Sequence, residues 1–95
     1  MRVEWDRAKN ETNRTKHGID FETAQLVFDD PRCVTFVERV ADQEERWHAI
    51  GSIEQIIILL VVHTYREELA EEVVRIISTH PATRRERRLY AQAIG

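Results

Sequence analysis

The sequence predicts an α+β fold in which helices pack on an antiparallel sheet. Helical patterns occupy the two ends of the chain, whereas strand-like stretches follow one another through residues 33–78. The connections between these stretches are too short to contain crossover helices, so consecutive strands are expected to pair antiparallel. A chain of 95 residues has room for one small core, and residues 1–95 are therefore expected to form a single domain.

Two helices are predicted near the N-terminus, after a short strand over residues 1–5. Asp6 is a suitable N-cap for a helix that runs to about Lys16, and Gly18 suits the C′ position that follows it. Asp20 is the N-cap expected for a second helix over residues 21–28, in which apolar residues recur at the spacing of one buried face.

Four strands and a final helix complete the predicted order β-α-α-β-β-β-β-α. The strands are expected over residues 33–37, 46–50, 55–64 and 73–78. Residues 56–62 are all apolar, which predicts a central strand buried on both faces. Gly51-Ser52 and the acidic stretch near residues 67–72 are predicted to be hairpin connections. The last helix covers about residues 84–94, because Thr83 and Glu86 form a capping box.

Composition excludes several classes of protein. The single cysteine, Cys33, excludes a disulfide framework and a multi-cysteine zinc module. The four histidines lack the spacings of metal ligands, so we expect neither a metal site nor a cofactor. No leader segment is visible, and the longest apolar run is too short to cross a bilayer. We therefore expect a cytoplasmic protein that does not associate with membranes.

Charge is distributed unevenly along the chain. The net charge is −3, yet residues 84–88 contain four arginines and one glutamate, whereas residues 66–72 contain four glutamates and one arginine. Local fields steer charged partners more effectively than net charge does. The sequence therefore permits a polyanionic partner at one end of the molecule.

The beginning of the last helix departs from the usual preference for acidic residues. A helix N-terminus carries positive partial charge, but this one opens with Arg84, Arg85, Arg87 and Arg88. Unpaired backbone N–H groups and four guanidinium groups together would attract phosphate. One interpretation is an anion or RNA site. The other is that these arginines pair with glutamates elsewhere, such as those of residues 67–72.

Three other residues are candidates for chemistry. Arg75 lies inside an apolar strand, so its guanidinium is expected either to form a salt bridge or to reach a phosphate. His63 ends the central strand and is either a structural histidine or part of the site, whereas His48 on a sheet strand is interpreted as structural. His80 lies between a strand end and the arginine-rich helix, where it suits acid–base chemistry or is a simple loop residue.

Motifs along most of the chain resemble those of one family. The N-terminal half contains Trp5-Asp6-x-x-Lys9, Asn13, Lys16-His17-Gly18, Phe21-Glu22-x-Ala24 and Val27-Phe28-Asp29-Asp30-Pro31. The C-terminal part contains Arg75-Ile76-Ile77-Ser78 and Ala82-Thr83-Arg84-Arg85-Glu86-Arg87-Arg88-x-Tyr90. Taken in this order and spacing, the set closely resembles the BrnT family of toxins.

The resemblance implies a RelE-like fold and the cleavage of RNA by the toxin of a type II toxin–antitoxin pair. It also implies a BrnA-type antitoxin with a ribbon-helix-helix-type dimerisation domain, through which the complex would bind operator DNA. Together with residue chemistry, it gives the catalytic candidates Lys16, His63, Arg75, His80, Arg84 and Arg85. The candidates for RNA binding are Lys9, Arg87 and Arg88.

Within this set, His80 or Lys16 is expected to transfer protons, and the arginines are expected to stabilise charge on the phosphate. The chain departs from the family pattern at Thr79, His80 and Pro81, where relatives usually carry two basic residues. An alternative function is therefore a weakened or non-catalytic module with the toxin fold, which binds an antitoxin and acts in operon autoregulation.

Overall fold

Five strands form one mixed sheet with the spatial order β1-β5-β4-β3-β2. The computed structural model describes residues 1–94 of the chain. Its elements are β1 (Arg2–Trp5), α1 (Arg7–His17), α2 (Phe21–Ala24), a 3₁₀ helix (Gln25–Asp29), β2 (Val34–Ala41), β3 (Glu44–Ile53), β4 (Ile57–Glu68), β5 (Glu71–Pro81) and α3 (Arg84–Ile94). The predicted α+β class is confirmed, and β4 is the central strand as expected.

The sheet is not entirely antiparallel, which corrects the prediction. Strands β2 to β5 form an antiparallel meander, but β1 pairs with β5 in parallel, with Val3 opposite Val74. Short connections fix the relative direction only of strands that are consecutive in sequence. Because β1 and β5 are separated by most of the chain, no hairpin constrains their direction.

The second helix is shorter than the sequence predicts. The α-helix ends at Ala24, and the chain continues as a 3₁₀ helix to Asp29. Gly51 lies beneath this segment, inside β3 and not in a turn as predicted. A Cβ atom at Gly51 would lie 2.7 Å from Cγ1 of Val27, so glycine allows the 3₁₀ helix to approach the strand closely.

The hairpin connections contain no glycine. Each of them begins with two residues of positive φ: Asp42 and Gln43, Glu54 and Gln55, or Leu69 and Ala70. Positive φ at two successive residues is the geometry of tight hairpin turns, for which Asn-Gly and Asp-Gly are the usual sequence signals. Because those signals are missing, the sequence does not show where the turns are, and the predicted strands end too early. The strands of the structure extend further, up to these turns.

The two faces of the sheet carry separate apolar clusters. One face, called here the α2 face, packs Phe21, Ala24 and Val27 against Ala49 and other strand residues. The opposite face, called here the α3 face, packs the residue Tyr90 of α3 against Ile50 and Leu60. The hydroxyl of Tyr90 donates a 2.6 Å hydrogen bond to Oδ2 of Asp30, which anchors α3 to the sheet.

Helix α1 occupies the place along β5 that β1 leaves empty. Strand β1 ends opposite Ile76, whereas β5 continues to Pro81. The buried side chain of Asn13 closes this edge, because its Oδ1 accepts a 3.0 Å hydrogen bond from the backbone N–H of Thr79 and its Nδ2 donates to the carbonyl of Ile19. Helix α1 is thereby fixed beside the end of β5.

Candidate functional site

A groove of about 670 Å³ lies between α1 and the end of β5. Its polar lining includes Lys9, Lys16, His17, Ser78 and His80. Three of the site residues predicted from the sequence, namely Lys9, Lys16 and His80, therefore lie together in this groove. The groove therefore combines two lysines with two imidazoles, a set that can bind an anion and transfer protons.

The lysines reach the groove because of how α1 begins and turns. Asp6 caps the helix by accepting a 2.9 Å hydrogen bond from the backbone N–H of Lys9, as the sequence predicts. Lys9 and Lys16 are seven residues apart, so they share one face of the helix. Gly18, in the left-handed conformation at φ 74°, ends α1 immediately after His17.

His80 forms a pair with a carboxylate. Nε2 of His80 lies 3.0 Å from Oε1 of Glu86, in the first turn of α3. The same oxygen accepts a 2.9 Å hydrogen bond from the backbone N–H of Thr83, whose hydroxyl accepts one from the backbone N–H of Glu86. The predicted capping box thus forms, and it also holds the Glu86 carboxylate against the imidazole.

The ionisation of Glu86 determines which histidine nitrogen is free. Burial alone would raise the pKa of Glu86, but the hydrogen bonds from the backbone of Thr83 and from His80 lower it overall. An ionised carboxylate is only an acceptor, so Nε2 of His80 carries the proton of this hydrogen bond. Nδ1 of the neutral ring is then the nitrogen that can accept a proton from another group.

A second depression on the α3 face is lined by charges of both signs. It shares Lys9 and Ser78 with the groove and adds His48, Arg39 and Arg46, together with Glu38 and Asp42. Arg39 pairs with Glu38 at 3.5 Å, and Arg46 pairs with Glu44 at 3.7 Å. Burial lowers the pKa of His48, and the nearby His80 and Arg39 act in the same direction against Glu38 and Glu86. His48, which the sequence analysis interprets as structural, thus lies on the same face of the sheet as His80, with β4 between their two strands.

A signal for His48 and His17 was present in the sequence. His48 is two residues after Arg46 on one strand, so both side chains belong to the same sheet face. His17 follows Lys16 at the end of α1, and its ring centroid lies 6.0 Å from that of His80. Neither feature could be assigned to a common site before the position of β5 was known.

The arginines at the beginning of α3 are exposed. Arg84, Arg85, Arg87 and Arg88 form no ion pair within residues 1–94. Pairing with the acidic hairpin is the alternative that the sequence leaves open, but of its glutamates only Glu68 forms ion pairs within residues 1–94, and its partners are Arg2 and Arg66, each at 3.1 Å. The guanidinium groups therefore leave a positive surface beside the groove.

Arg75 is exposed, which corrects the expectation that it is buried. It lies opposite Glu4 of β1 and Thr64 of β4, on a part of β5 that Tyr90 and the rest of α3 do not reach. Five residues separate Arg75 from His80, a distance of about 16 Å at roughly 3.3 Å per strand residue. The structure therefore does not bring Arg75 to the His80–Glu86 pair.

His63 lies on the α2 face, away from the groove. Its side chain is fully buried, with its ring 5.0 Å from those of both Phe28 and Tyr65. Its Nδ1 forms a 3.1 Å hydrogen bond with the carbonyl of Val61, and burial lowers its pKa to about 4. The side chain is inaccessible to a substrate, so the geometry does not support a catalytic role.

Other chemistries find less support in the structure. Burial raises the pKa of the Cys33 thiol to about 11, which opposes formation of the nucleophilic thiolate. Within residues 1–94, no group of three or more histidine, cysteine or acidic side chains is placed to hold a metal ion. None of the helices described is long and apolar enough to span a membrane.

Comparisons with known proteins agree with the motifs. The family model described as the ribonuclease toxin BrnT of type II toxin–antitoxin systems matches residues 5–86. The crystal structure of the Brucella abortus ribonuclease toxin BrnT matches with a TM-score of 0.66 and 29% sequence identity, over 88% of this chain and 99% of that one. No curated protein matches the chain. Because the family match covers most of its length, this chain belongs to the BrnT family of ribonuclease toxins of type II toxin–antitoxin systems.

Proposed function

We propose that the groove between α1 and β5 cleaves RNA without a metal ion, with His80 and Glu86 as its proton-transfer pair. The observation that carries this proposal is the 3.0 Å contact between Nε2 of His80 and Oε1 of Glu86 at a groove lined by lysines. Metal-free cleavage requires a base for the 2′-hydroxyl, an acid for the leaving oxygen and cations around the phosphate.

His80 is the general base in this proposal. Nδ1 of the neutral imidazole takes the proton of the 2′-hydroxyl, and the 2′-oxygen then forms a bond to the adjacent phosphorus. The Glu86 carboxylate stabilises the positive charge that the ring acquires, and it holds the ring in one orientation. The supporting geometry is the capping box, which fixes Glu86 through the backbone of Thr83.

The bond from phosphorus to the 5′-oxygen breaks as the new bond forms, and a second imidazole protonates the departing oxygen. The ring centroid of His17 lies 6.0 Å from that of His80, and His48 lies on the same sheet face two strands away, which makes His17 the first candidate for this acid and His48 the second. Lys9 and Lys16 supply positive charge to the phosphate oxygens. The products are a 2′,3′-cyclic phosphate on one fragment and a 5′-hydroxyl on the other.

The exposed arginines extend the binding surface in this proposal. Arg84 and Arg85, next to the His80–Glu86 pair in sequence, stabilise charge close to the groove, whereas Arg87 and Arg88 bind flanking phosphates. Arg75, in the middle of β5, can contact only a more distant part of the RNA.

The partners follow from the family. A type II toxin has an antitoxin, and we propose that here it is a BrnA-type protein that carries the DNA-binding function. In this proposal the toxin contacts operator DNA only through that complex. Residues 1–95 act as one domain, and RNA as the substrate implies action in the cytoplasm.

Digestion of RNA by the purified chain tests the proposal. Cleavage is expected to continue in EDTA and to leave 2′,3′-cyclic phosphate or 3′-phosphate ends. A strict requirement for Mg²⁺ would exclude this mechanism. If the purified wild-type chain cleaves no RNA under any condition but binds its antitoxin, the alternative of a non-catalytic toxin-fold module would be favoured.

A further inference from the structure

An apolar patch with an acidic border occupies the part of the α2 face beyond the helices. The rings of Trp47 and Tyr65 meet edge to face at 5.3 Å and are partly exposed, and Val37, the cross-strand neighbour of Trp47, is 40% exposed. Glu67 and Glu72 stand directly opposite each other on β4 and β5, and both line the same depression as the two rings. These five residues are called here the acidic shelf.

The carboxylates of the acidic shelf are not neutralised within the chain. Neither Glu67 nor Glu72 forms an ion pair with any residue of the part described, 1–94. Like charges directly opposite each other on paired strands destabilise the pair. Burial raises the pKa of the Tyr65 hydroxyl, and so does Glu72, so the negative potential acts at the aromatic rings.

The opposite face of the same hairpin is organised differently. There, Arg66 binds Glu4 at 2.9 Å and Glu68 at 3.1 Å, although Glu71, opposite Glu68, forms no ion pair within residues 1–94. Arg66 also lines the depression of the acidic shelf, but its guanidinium pairs with those two carboxylates and not with Glu67 or Glu72. Uncompensated charge around exposed aromatic side chains is typical of a surface that receives a basic partner.

We propose that the acidic shelf docks a segment of the antitoxin in which an aliphatic side chain is flanked by lysine or arginine. The apolar side chain packs on Trp47 and Tyr65, and the flanking cations pair with Glu67 and Glu72. This inference rests on the antitoxin of the proposed function, and it adds where that partner binds and what chemistry it carries.

Two other occupants fit the acidic shelf less well. RNA is repelled by its carboxylates and is attracted instead to the exposed arginines of residues 84–88, which form no ion pair within residues 1–94. A second copy of the chain could present its basic residues 84–88, but that contact joins different surfaces on the two molecules, and contacts of this kind lead to rings or open chains.

The position of the acidic shelf has a functional consequence. The acidic shelf lies on the α2 face, whereas His80 and the second depression lie on the α3 face. A segment docked on the acidic shelf therefore leaves the groove that His80 lines uncovered. The acidic shelf therefore contributes affinity for the antitoxin, and blocking of the groove requires a different antitoxin segment. Variants of the acidic shelf are expected to weaken antitoxin binding while the free toxin still cleaves RNA.

Charge reversal of the two shelf carboxylates provides the test. The double variant Glu67→Lys/Glu72→Lys is compared with Glu22→Lys/Glu54→Lys, which makes the same charge change at exposed positions outside the shelf. The probe is the purified product of the small gene adjacent to the toxin gene, titrated at two salt concentrations. We expect the shelf variant to bind about 10²-fold more weakly and with less salt dependence, and the control to bind like the wild type.

RNA cleavage by each free variant, and its circular dichroism spectrum, separate the possible results. Equal antitoxin affinity in the shelf variant and the control would overturn the inference. Self-association of the wild-type chain that disappears in Glu67→Lys/Glu72→Lys would also overturn it, in favour of a second copy as occupant. Absence of cleavage by the wild-type chain would contradict the proposed function alone, because antitoxin affinity is measured without it. Trp47→Ala, if it folds, is expected to weaken binding to a similar extent.

Discussion

Acidification is expected to destabilise the protein through His63. This imidazole is fully buried on the α2 face, and burial lowers its pKa from 6.5 to about 4. The unfolded chain therefore binds a proton at pH values where the folded protein does not. By linkage, His63 does not reduce the free energy of unfolding above pH 6.5. The free energy of unfolding then falls progressively as the pH is lowered from 6.5 towards 4.

The expected loss is a substantial part of the stability of a small domain. A shift from 6.5 to about 4 corresponds to about 3 kcal/mol at 1.36 kcal/mol per pH unit. About 2 kcal/mol of this amount is lost between pH 7 and pH 5. Burial also lowers the pKa of His48, which adds a contribution of the same sign.

Urea unfolding at pH 7 and at pH 5 measures this effect in the wild type and in His63→Asn. The asparagine amide keeps a donor for the carbonyl of Val61 but cannot take a proton in this range. We expect the variant to be less stable at pH 7 but to lose about 2 kcal/mol less than the wild type on acidification. His17→Asn, at an exposed position, is the matched control. An equal pH dependence in the wild type and His63→Asn would refute the reasoning.

Three further predictions concern His80, Glu86 and the arginines. His80→Ala is expected to lower the rate of RNA cleavage by about 10²-fold with little change in RNA affinity, as is usual for a lost proton-transfer group. Cleavage that is retained in both His80→Ala and His80→Arg would exclude His80 from the chemistry. Glu86→Gln is expected to reduce cleavage less, because the amide can still contact the ring but carries no charge. Single replacements of Arg84, Arg85, Arg87 and Arg88 by glutamine are expected to flatten the salt dependence of RNA binding by roughly one counterion each. Unchanged binding in the folded variants would argue against an RNA contact.

Local signals in the sequence were sufficient for several elements. The caps Asp6, Asp20 and Thr83 begin their helices as expected, since each depends on residues within one turn. The apolar run correctly predicted β4 as the central strand, because a strand covered on both faces is mostly apolar. Ile56 and Ile57, at the beginning of that run, are nevertheless 79% and 51% exposed. The motifs were sufficient to predict the family.

Local signals gave wrong predictions where a turn lacks the usual turn residues or where a residue is required by a neighbour that is distant in sequence. Gly51 resembles a turn residue in the sequence, but it is needed for the close approach of Val27 to β3. The hairpin connection expected near residues 67–72 does form, at Leu69-Ala70, whereas the turns at Asp42-Gln43 and Glu54-Gln55 were not predicted, because no glycine marks them. The parallel pairing of β1 with β5 depends on contacts between distant parts of the chain.

The sequence by itself determined the residue types of the candidate site, including the basic start of α3 and the position of His80 before it. Only the tertiary structure decided which of them meet. Regular alternation along β4 directs His63 to the α2 face, as it does Leu59 and Val61, whereas His80 contacts Glu86 of α3. The physical reason is that a side chain's face depends on strand register, and register is fixed by packing across the whole sheet.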